Sequence, residues 1–377
     1  SNGAFFNGTF NGLGNKIANL TINVASTENA GFFGATSFIS LIRDLHLSNI
    51  TIDRADGYNG DYLGGIAGYN LGTIAYSSAT GTVGSTRANS GYAGGIAGWN
   101  DNTLIGSSAH VDVSGNQYAG GIVGANSSHG VIAQSFSTGI VRSPVYAGGI
   151  TGLNEGTITN TSAMGAVAGS GFVGGLAGTN YGIISQSFAA GAVLSASGYQ
   201  GGLVGENSLG QITDSYWDTQ TTGMATGVGH HIDGTLTSSA GLTTDQLQSI
   251  PASSIDGTLW ATGAGLYPYL KRFFPDNVQA ISGFATLDGA SLASNTSGAH
   301  MVSITTANGT LGTASTGANG YYYILTAADS LGAATDYMAY SKSANAALFQ
   351  QSLTGNTGDL NFAAQTLAIT SAATHWS

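Results

Sequence analysis

The side chains able to do chemistry in this sequence are few. It has nineteen Asp plus Glu, seven His and no Cys, so a thiol nucleophile, a thiolate zinc site and a disulfide framework are excluded. Hydrolysis of a glycosidic bond needs two carboxylates roughly 5–9 Å apart; elimination needs a cation with a base beside it. Asp101 and Glu155 each directly follow an Asn, whereas Asp112, Glu206, Asp214 and Asp218 stand in other contexts. Asp53, Asp56 and Asp61 cluster near Arg54, and a solvated loop is favoured there over a Ca²⁺ site. His230-His231 with Asp233 is a metal candidate, but neighbours in a strand face opposite ways, which favours a plain loop. No Gly-x-Ser-x-Gly elbow with His and acid partners is evident. Gly12-Leu13-Gly14 lacks the buried strand and following helix of a nucleotide loop. The expectation is no catalytic, cofactor-binding or metal-ligating residue, no cofactor, and no enzyme.

What positions these groups is a repeat. The phrase aromatic-x-Gly-Gly-(Ile/Leu)-x-Gly-x-Asn occurs six times, with its Gly pairs at Gly64-Gly65, Gly94-Gly95, Gly120-Gly121, Gly148-Gly149, Gly174-Gly175 and Gly201-Gly202. The spacings are 30, 26, 28, 26 and 27 residues, a period that marks a solenoid or array. A second apolar column, Ile74, Leu104, Ile132, Ile158, Ile184 and Ile212, is followed three residues later by Ser77, Ser107, Ser135, Thr161, Ser187 and Ser215. A third runs through Val83, Val113, Val141, Val167 and Val193. Each unit thus carries three short apolar runs separated by Gly, Ser, Thr and Asn, and none keeps a 3.6-residue period.

One such unit cannot bury its own apolar side, but stacked units can. The expected fold is therefore all-β: a right-handed parallel β-helix, one turn per 26–30-residue repeat, with coils about 4.8 Å apart. The Ile66, Ile74 and Val83 series are the expected core. Asn70, Asn100, Asn126, Asn154, Asn180 and Asn207 are expected to pass amide hydrogen bonds from coil to coil. Tyr62, Tyr92, Tyr118, Tyr146, Phe172 and Tyr199 are expected to stack; a sugar-binding stripe is the competing reading. The glycines are expected at turns or positive φ.

The organisation expected is a β-helix over 1–227, a capping region with one short helix over 228–275, and an Ig-like or prealbumin-like β-sandwich over 276–377. Thr243-Thr244-Asp245-Gln246 supplies the cap and first turn of that helix. Ser215-Tyr216-Trp217-Asp218 reads as a plug closing the coil stack. The grammar changes after Val278 to short strands at irregular intervals, among them Tyr321-Tyr322-Tyr323.

Net charge is −11 with only eight Lys plus Arg. A phosphate-tracking basic face is not available, so nucleic acid is an unfavoured partner. No apolar run reaches the roughly 18 residues of a membrane span, so membrane insertion is not expected. The chain opens in mid-repeat and reads as a piece of something longer. Thr does not recur in register, which disfavours an ice-binding face.

The Gly65-Ile66-Ala67-Gly68-Tyr69-Asn70 phrase and its five relatives resemble the GLUG motif. The resemblance is to large filamentous-haemagglutinin-like bacterial surface proteins exported by two-partner secretion, and Val111 departs from the Gly seen at Gly81, Gly139, Gly165 and Gly191. It implies a secreted, cell-surface adhesive stalk or biofilm-matrix component. The partners it implies are extracellular polysaccharide or a host or neighbouring cell surface, with self-association into fibres. A polysaccharide-binding or polysaccharide-cleaving β-helix is the alternative.

Overall fold

The computed structural model describes residues 5–24, 29–54, 62–85, 91–276, 278–287, 290–291, 293–294, 299–306, 309–327, 337–341, 346–350 and 362–364. Asp56 and Asp61 lie outside them. The repeats build a parallel β-solenoid of about eight coils. In the coil beginning at Tyr62 the chain makes four strands, β1 (Tyr62–Gly64), β2 (Ala67–Asn70), β3 (Thr73–Ala75) and β4 (Ser78–Ser85). Each pairs in parallel with its counterpart in the next coil, giving a tyrosine face, an asparagine face, an isoleucine face and a serine face. Equivalent residues sit in register: Ile74 pairs with Leu104, Leu104 with Ile132, and so on to Leu236.

The expectation of three runs per repeat falls one short. The Gly-Gly phrase is not one strand but two, because the chain bends at Gly65-Ile66. The reason is close approach of backbone. A Cβ on Gly64 would overlap the Ala67 carbonyl oxygen, and one on Gly68 would lie 2.7 Å from the Tyr62 carbonyl oxygen. The two strands fold into a re-entrant corner that only glycine permits. At its apex Ile66, Ile96, Ile122, Ile150, Leu176 and Leu203 point inward and are wholly buried.

Of the two roles expected for the glycines, the paired ones serve the turn, and positive φ belongs elsewhere. None of the paired glycines has it. The left-handed column lies two residues after the isoleucine column: Asp44, Tyr76, Gly106, Gln134, Asn160, Gln186, Asp214 and Ser238 have φ between 47° and 60°. Only one of these eight is glycine. A left-handed non-glycine residue costs about 1 kcal/mol or more, so each coil needs something at this corner to offset it.

The core is a dry aliphatic shaft, with Ile74, Ile132, Ile158, Ile184, Val113 and Val141 all unexposed. Each such side chain contributes roughly 1.5–3 kcal/mol by burial. Phe6, Phe10, Phe32 and Phe33 pack tilted or edge-on against one another over one end, with ring centroids 4.6–5.7 Å apart. Trp217 fills the other, taking the place that Ala79, Ala109 and Ala189 hold in earlier coils.

The coils run past 227. Strands Val228–Ile232, Thr235–Thr237 and Ala240–Leu242 pair in parallel with the preceding coil. The helix follows at Thr244–Leu247, with Thr243 and Gln246 forming a reciprocal capping box. The remainder up to 276 lies back along the serine flank. Trp260 Nε1 donates to Asn160 Oδ1 at 2.9 Å, Phe273 meets Phe136 edge-on at 4.7 Å, and the Arg272 guanidinium sits 3.5 Å from the Tyr76 ring centre.

Beyond it, two small antiparallel sheets form a β-sandwich-like domain. One contains Val278–Leu287 and Tyr321–Ala327; the other contains Met301–Thr306, Gly309–Ser315, Tyr337–Ser341 and Ala346–Gln350. Ile281, Val302, Ile304 and Tyr322 are buried between them. Ala166 N–H donates to Ser315 Oγ at 2.9 Å and Ala318 N–H to the Thr221 carbonyl at 2.7 Å, tying this domain to the solenoid.

Candidate functional site

Stacking places three polar or aromatic ladders on the solenoid. The asparagines form an unbroken chain: Asn70 Nδ2 donates to Asn100 Oδ1 at 2.7 Å, Asn100 to Asn126 at 2.9 Å, Asn126 to Asn154 at 2.9 Å, Asn154 to Asn180 at 2.8 Å and Asn180 to Asn207 at 2.8 Å. All six are wholly buried, so each amide needs these partners. Thr36 starts the chain, donating to Asn70 Oδ1, and His231 stands in the next position after Asn207.

The serine column supplies what the left-handed corner lacks. Ser107 Oγ donates to the Ile105 carbonyl two residues back and accepts the N–H of Ser77 in the preceding coil. The same accepting bond joins Ser135 to Ser107, Ser187 to Thr161, Ser215 to Ser187 and Ser239 to Ser215, at 3.0–3.3 Å. The hydroxyl column is therefore a structural device, legible as a recurrence but not as a role from the sequence alone.

The aromatic column stacks face to face. Centroid spacings run 5.0, 4.9, 4.7, 5.3 and 5.5 Å from Tyr62 to Tyr199, and the Tyr118–Tyr146 planes differ by 7°. His230 extends it, stacking 4.4 Å from Tyr199. Ring faces in this column are thus covered by one another, leaving edges and hydroxyls toward solvent. Across the re-entrant corner stand Tyr69, Trp99, Ala125, Leu153, Thr179 and Glu206. Tyr69 and Trp99 lie against Tyr62 and Tyr92, making an aromatic patch at one end of this face. Burial, followed by the neighbouring Tyr146, Tyr92, Tyr181 and Glu155, pushes the Tyr118 phenol up to about 12.

The acidic residues are mostly tied to adjacent coils. Asp101, Ser127, Glu155 and Tyr181 succeed one another directly after the Asn column. Asp101 and Glu155 are therefore two coils apart, about 10 Å, beyond the usual separation for hydrolysis. Asp101 Oδ1 accepts from Ser127 Oγ and lies 3.4 Å from His129 Nδ1. These are the residue types of an acyl-transfer triad in the wrong order: the hydroxyl is bonded to the carboxylate instead of to the imidazole that would take its proton. Ser127 and His129 were missed in the sequence; their only signal was adjacency to the Asn column.

Asp112 accepts the Ile140 N–H at 2.9 Å, and Asp214 occupies the left-handed corner. Glu206 accepts from Thr179 and pairs with His230 Nδ1 at 3.0 Å. His231 bonds instead to the Gly234 carbonyl, so the adjacent histidines diverge, and Asp233, with φ 52°, bridges to Ser208. Asp218 is wholly buried; it caps the short helix Thr219–Thr222 and accepts the Tyr267 hydroxyl at 2.5 Å. Asp53 is exposed while Arg54 beside it is buried. Among the described residues no three His, Asp or Glu gather as a metal set, and no helix is long and apolar enough to cross a membrane.

One coil carries a known signature. Residues 59–84 match the family model of the GLUG motif. The matched segment spans the coil from Tyr62 to Val83, whose four strands recur in the coils that follow, so this is a GLUG-repeat solenoid. No curated protein and no solved structure matches the chain.

Proposed function

We propose that the chain is a structural, adhesive segment of a large secreted bacterial surface protein of the filamentous-haemagglutinin-like kind, not an enzyme. The observation that carries this reading is the unbroken Asn ladder. Six identical, fully buried, mutually bonded rungs serve no reaction, but they lock coil to coil and stiffen the stack. A stack of about eight coils extends roughly 40 Å. Such a rod holds contact surfaces away from a cell, and repeated weak contacts along it add through effective concentration. The contact surface this reading favours is the aromatic patch of Tyr62, Tyr69, Tyr92 and Trp99, where two aromatic columns meet.

The test is a screen of the immobilised chain against extracellular polysaccharides and bacterial and host cells, run beside an assay for new reducing or unsaturated sugar ends. Retention on a glycan or cell surface without turnover is expected. Turnover lost on replacing Glu155 or Asp101 would replace the structural reading with the enzymatic one. Binding to none of these surfaces would leave the rod without its adhesive role.

A further inference from the structure

The aromatic patch differs from the column beside it in the way its rings face. Rings from Tyr62 to Tyr199 cover one another along the rod, 4.7–5.5 Å apart. Trp99 stands across them, at 67° to Tyr62 and 85° to Tyr92. The faces of Tyr92 are already taken by Tyr62 and Tyr118, so it meets the indole with its edge. Tyr69 lies within 10° of the indole plane, its centre 6.3 Å away. That is wider than the stacked spacing, so the two rings lie side by side. Both are half-buried: one face of the indole rests on tyrosine edges and the other looks outward. The indole Nε1 is buried, so Trp99 offers a partner ring surface.

Two carboxylates flank this surface. Asp101 stands two residues beyond Trp99, and Glu155 holds the same position two coils on, about 10 Å along the rod. Glu155 is exposed. The Ser127 and His129 contacts of Asp101 both use Oδ1, which leaves Oδ2 to a ligand. The two charges reach the rings: burial first and then Asp101 raise the Tyr69 phenol, and burial, Tyr62 and then Glu155 raise that of Tyr92. An outward ring face takes the C–H face of a pyranose, and carboxylates beside it select a cation. The net charge of −11 disfavours an acidic polymer.

We propose that this surface binds an extended β-1,4-linked polymer of glucosamine with free amino groups, one sugar per coil. Sugar rings lie on Tyr69 and Trp99, and the ammonium groups of alternate sugars meet Asp101 and Glu155. The rise of one coil is close to the length of one pyranose in an extended chain. Successive sugars of such a chain are turned over, so amino groups on one side recur at every second residue. The two carboxylates recur at every second coil. This assignment narrows the adhesive reading above, on which it rests, to one class of polysaccharide.

Calorimetric titration of the full chain in mildly acidic, low-salt buffer, where the sugar amine is protonated, compares the glucosamine tetramer with cellotetraose, which has the same backbone and no amine. An exposed charge pair is worth about threefold in affinity. The glucosamine tetramer is therefore expected to bind roughly tenfold more tightly than cellotetraose, with a margin that shrinks as salt rises. The glucosamine dimer, too short to reach both carboxylates, should hold about threefold over cellobiose. Glu155→Gln, a change at an exposed side chain, should cut the tetramer's margin to about threefold. Adding Asp101→Asn should abolish it, while Asp245→Asn, on the helix Thr244–Leu247, leaves it whole. Trp99→Ala should weaken both tetramers alike; if that variant misfolds, Glu155→Gln still decides. Equal affinity for the two tetramers, a margin unmoved in the double variant, or equally tight binding of spermidine overturns the assignment. Each of these leaves the adhesive reading standing where cellotetraose or another glycan is retained; retention on no glycan or cell surface removes both.

Discussion

Replacing Asn126 by alanine removes a middle rung of the amide ladder. Its side chain accepts from Asn100 Nδ2 at 2.9 Å and donates to Asn154 Oδ1 at 2.9 Å and to the Gly130 carbonyl at 3.0 Å. Asn100 keeps a second acceptor in the Asn102 carbonyl, so its loss is partial. The lone pair of Asn154 that faced Asn126 is left buried without a donor. At about 1–3 kcal/mol for each unsatisfied group, the cost is roughly 3 kcal/mol. For a unit of this size 1 kcal/mol moves the melting temperature by about 2–4 °C, so a fall of roughly 6–12 °C is expected.

The ladder end provides the control. Asn207 receives only the bond from Asn180, and its own amide donates to backbone carbonyls of Gly210 and Thr235. Asn207→Ala breaks one inter-coil amide bond where Asn126→Ala breaks two, and should cost about half as much. Asn126→Asp adds a test of sign. The new carboxyl would be buried opposite the Asn154 oxygen, which raises its folded pKa above the unfolded value of about 3.9. Its protonated form can donate, so this variant should be most stable below that value and lose stability as pH rises through the folded pKa. Thermal melts followed by circular dichroism read all three. An Asn126→Ala melt within 2 °C of the unaltered chain would refute the claim that the ladder holds the coils together.

Gly120→Ala places a Cβ onto the Val123 carbonyl oxygen at the re-entrant corner; no soluble folded protein is expected, and a normal circular dichroism spectrum would contradict the close-approach account. Ser107→Ala leaves the Ser77 N–H without its acceptor and should cost about 1–3 kcal/mol in urea unfolding. Tyr118 ionises late, at about 12. Because its folded pKa is raised, the stability it contributes is complete below pH 10 and is lost as pH climbs toward 12. Ultraviolet absorbance titration should lose that late component in Tyr118→Phe, and the variant should weaken less over the same interval.

The parts legible in the sequence were those in which one residue type answers one local demand in every coil. Asn recurs because its amide accepts from the coil before and donates to the coil after, so the ladder was visible as a column. The buried aliphatic series was visible for the same reason. The left-handed corner was not, because Asp44, Tyr76, Gln134, Asn160 and Ser238 all fill it. What recurs is the hydroxyl beside it, and a column of serines does not announce which N–H it accepts. The paired glycines were legible as turn positions, but they recur for contact between backbones and not for positive φ. Residues 228–275 were legible as a region with one capped helix, yet the docking of this segment rests on single distant pairs such as Trp260 with Asn160 and Arg272 with Tyr76. Contacts made once leave no period to read.

The same logic bears on the chemistry-bearing side chains. A catalytic acid must be free to exchange a proton with a substrate, and its neighbours must shift its pKa without consuming its lone pairs. Asp112 is spent on the Ile140 N–H, Asp218 on two helix N–H groups and a tyrosine, and Glu206 on Thr179 and His230. Asp101 already holds the Ser127 hydroxyl. Apart from the two local helix-capping bonds of Asp218, each bond joins one coil to the next or the solenoid to the segment on its flank. Glu155 is exposed, but the coil on either side offers Ser127 and Tyr181 in its column, neither of them a second carboxylate. Groups that tie layers together gain from being identical and mutually satisfied, whereas groups that react gain from being singular and partly unsatisfied. On that contrast, the place to look for binding in this chain is not the buried ladders but the non-repeating side chains around Trp99, whose indole Nε1 is among the buried donors without a partner.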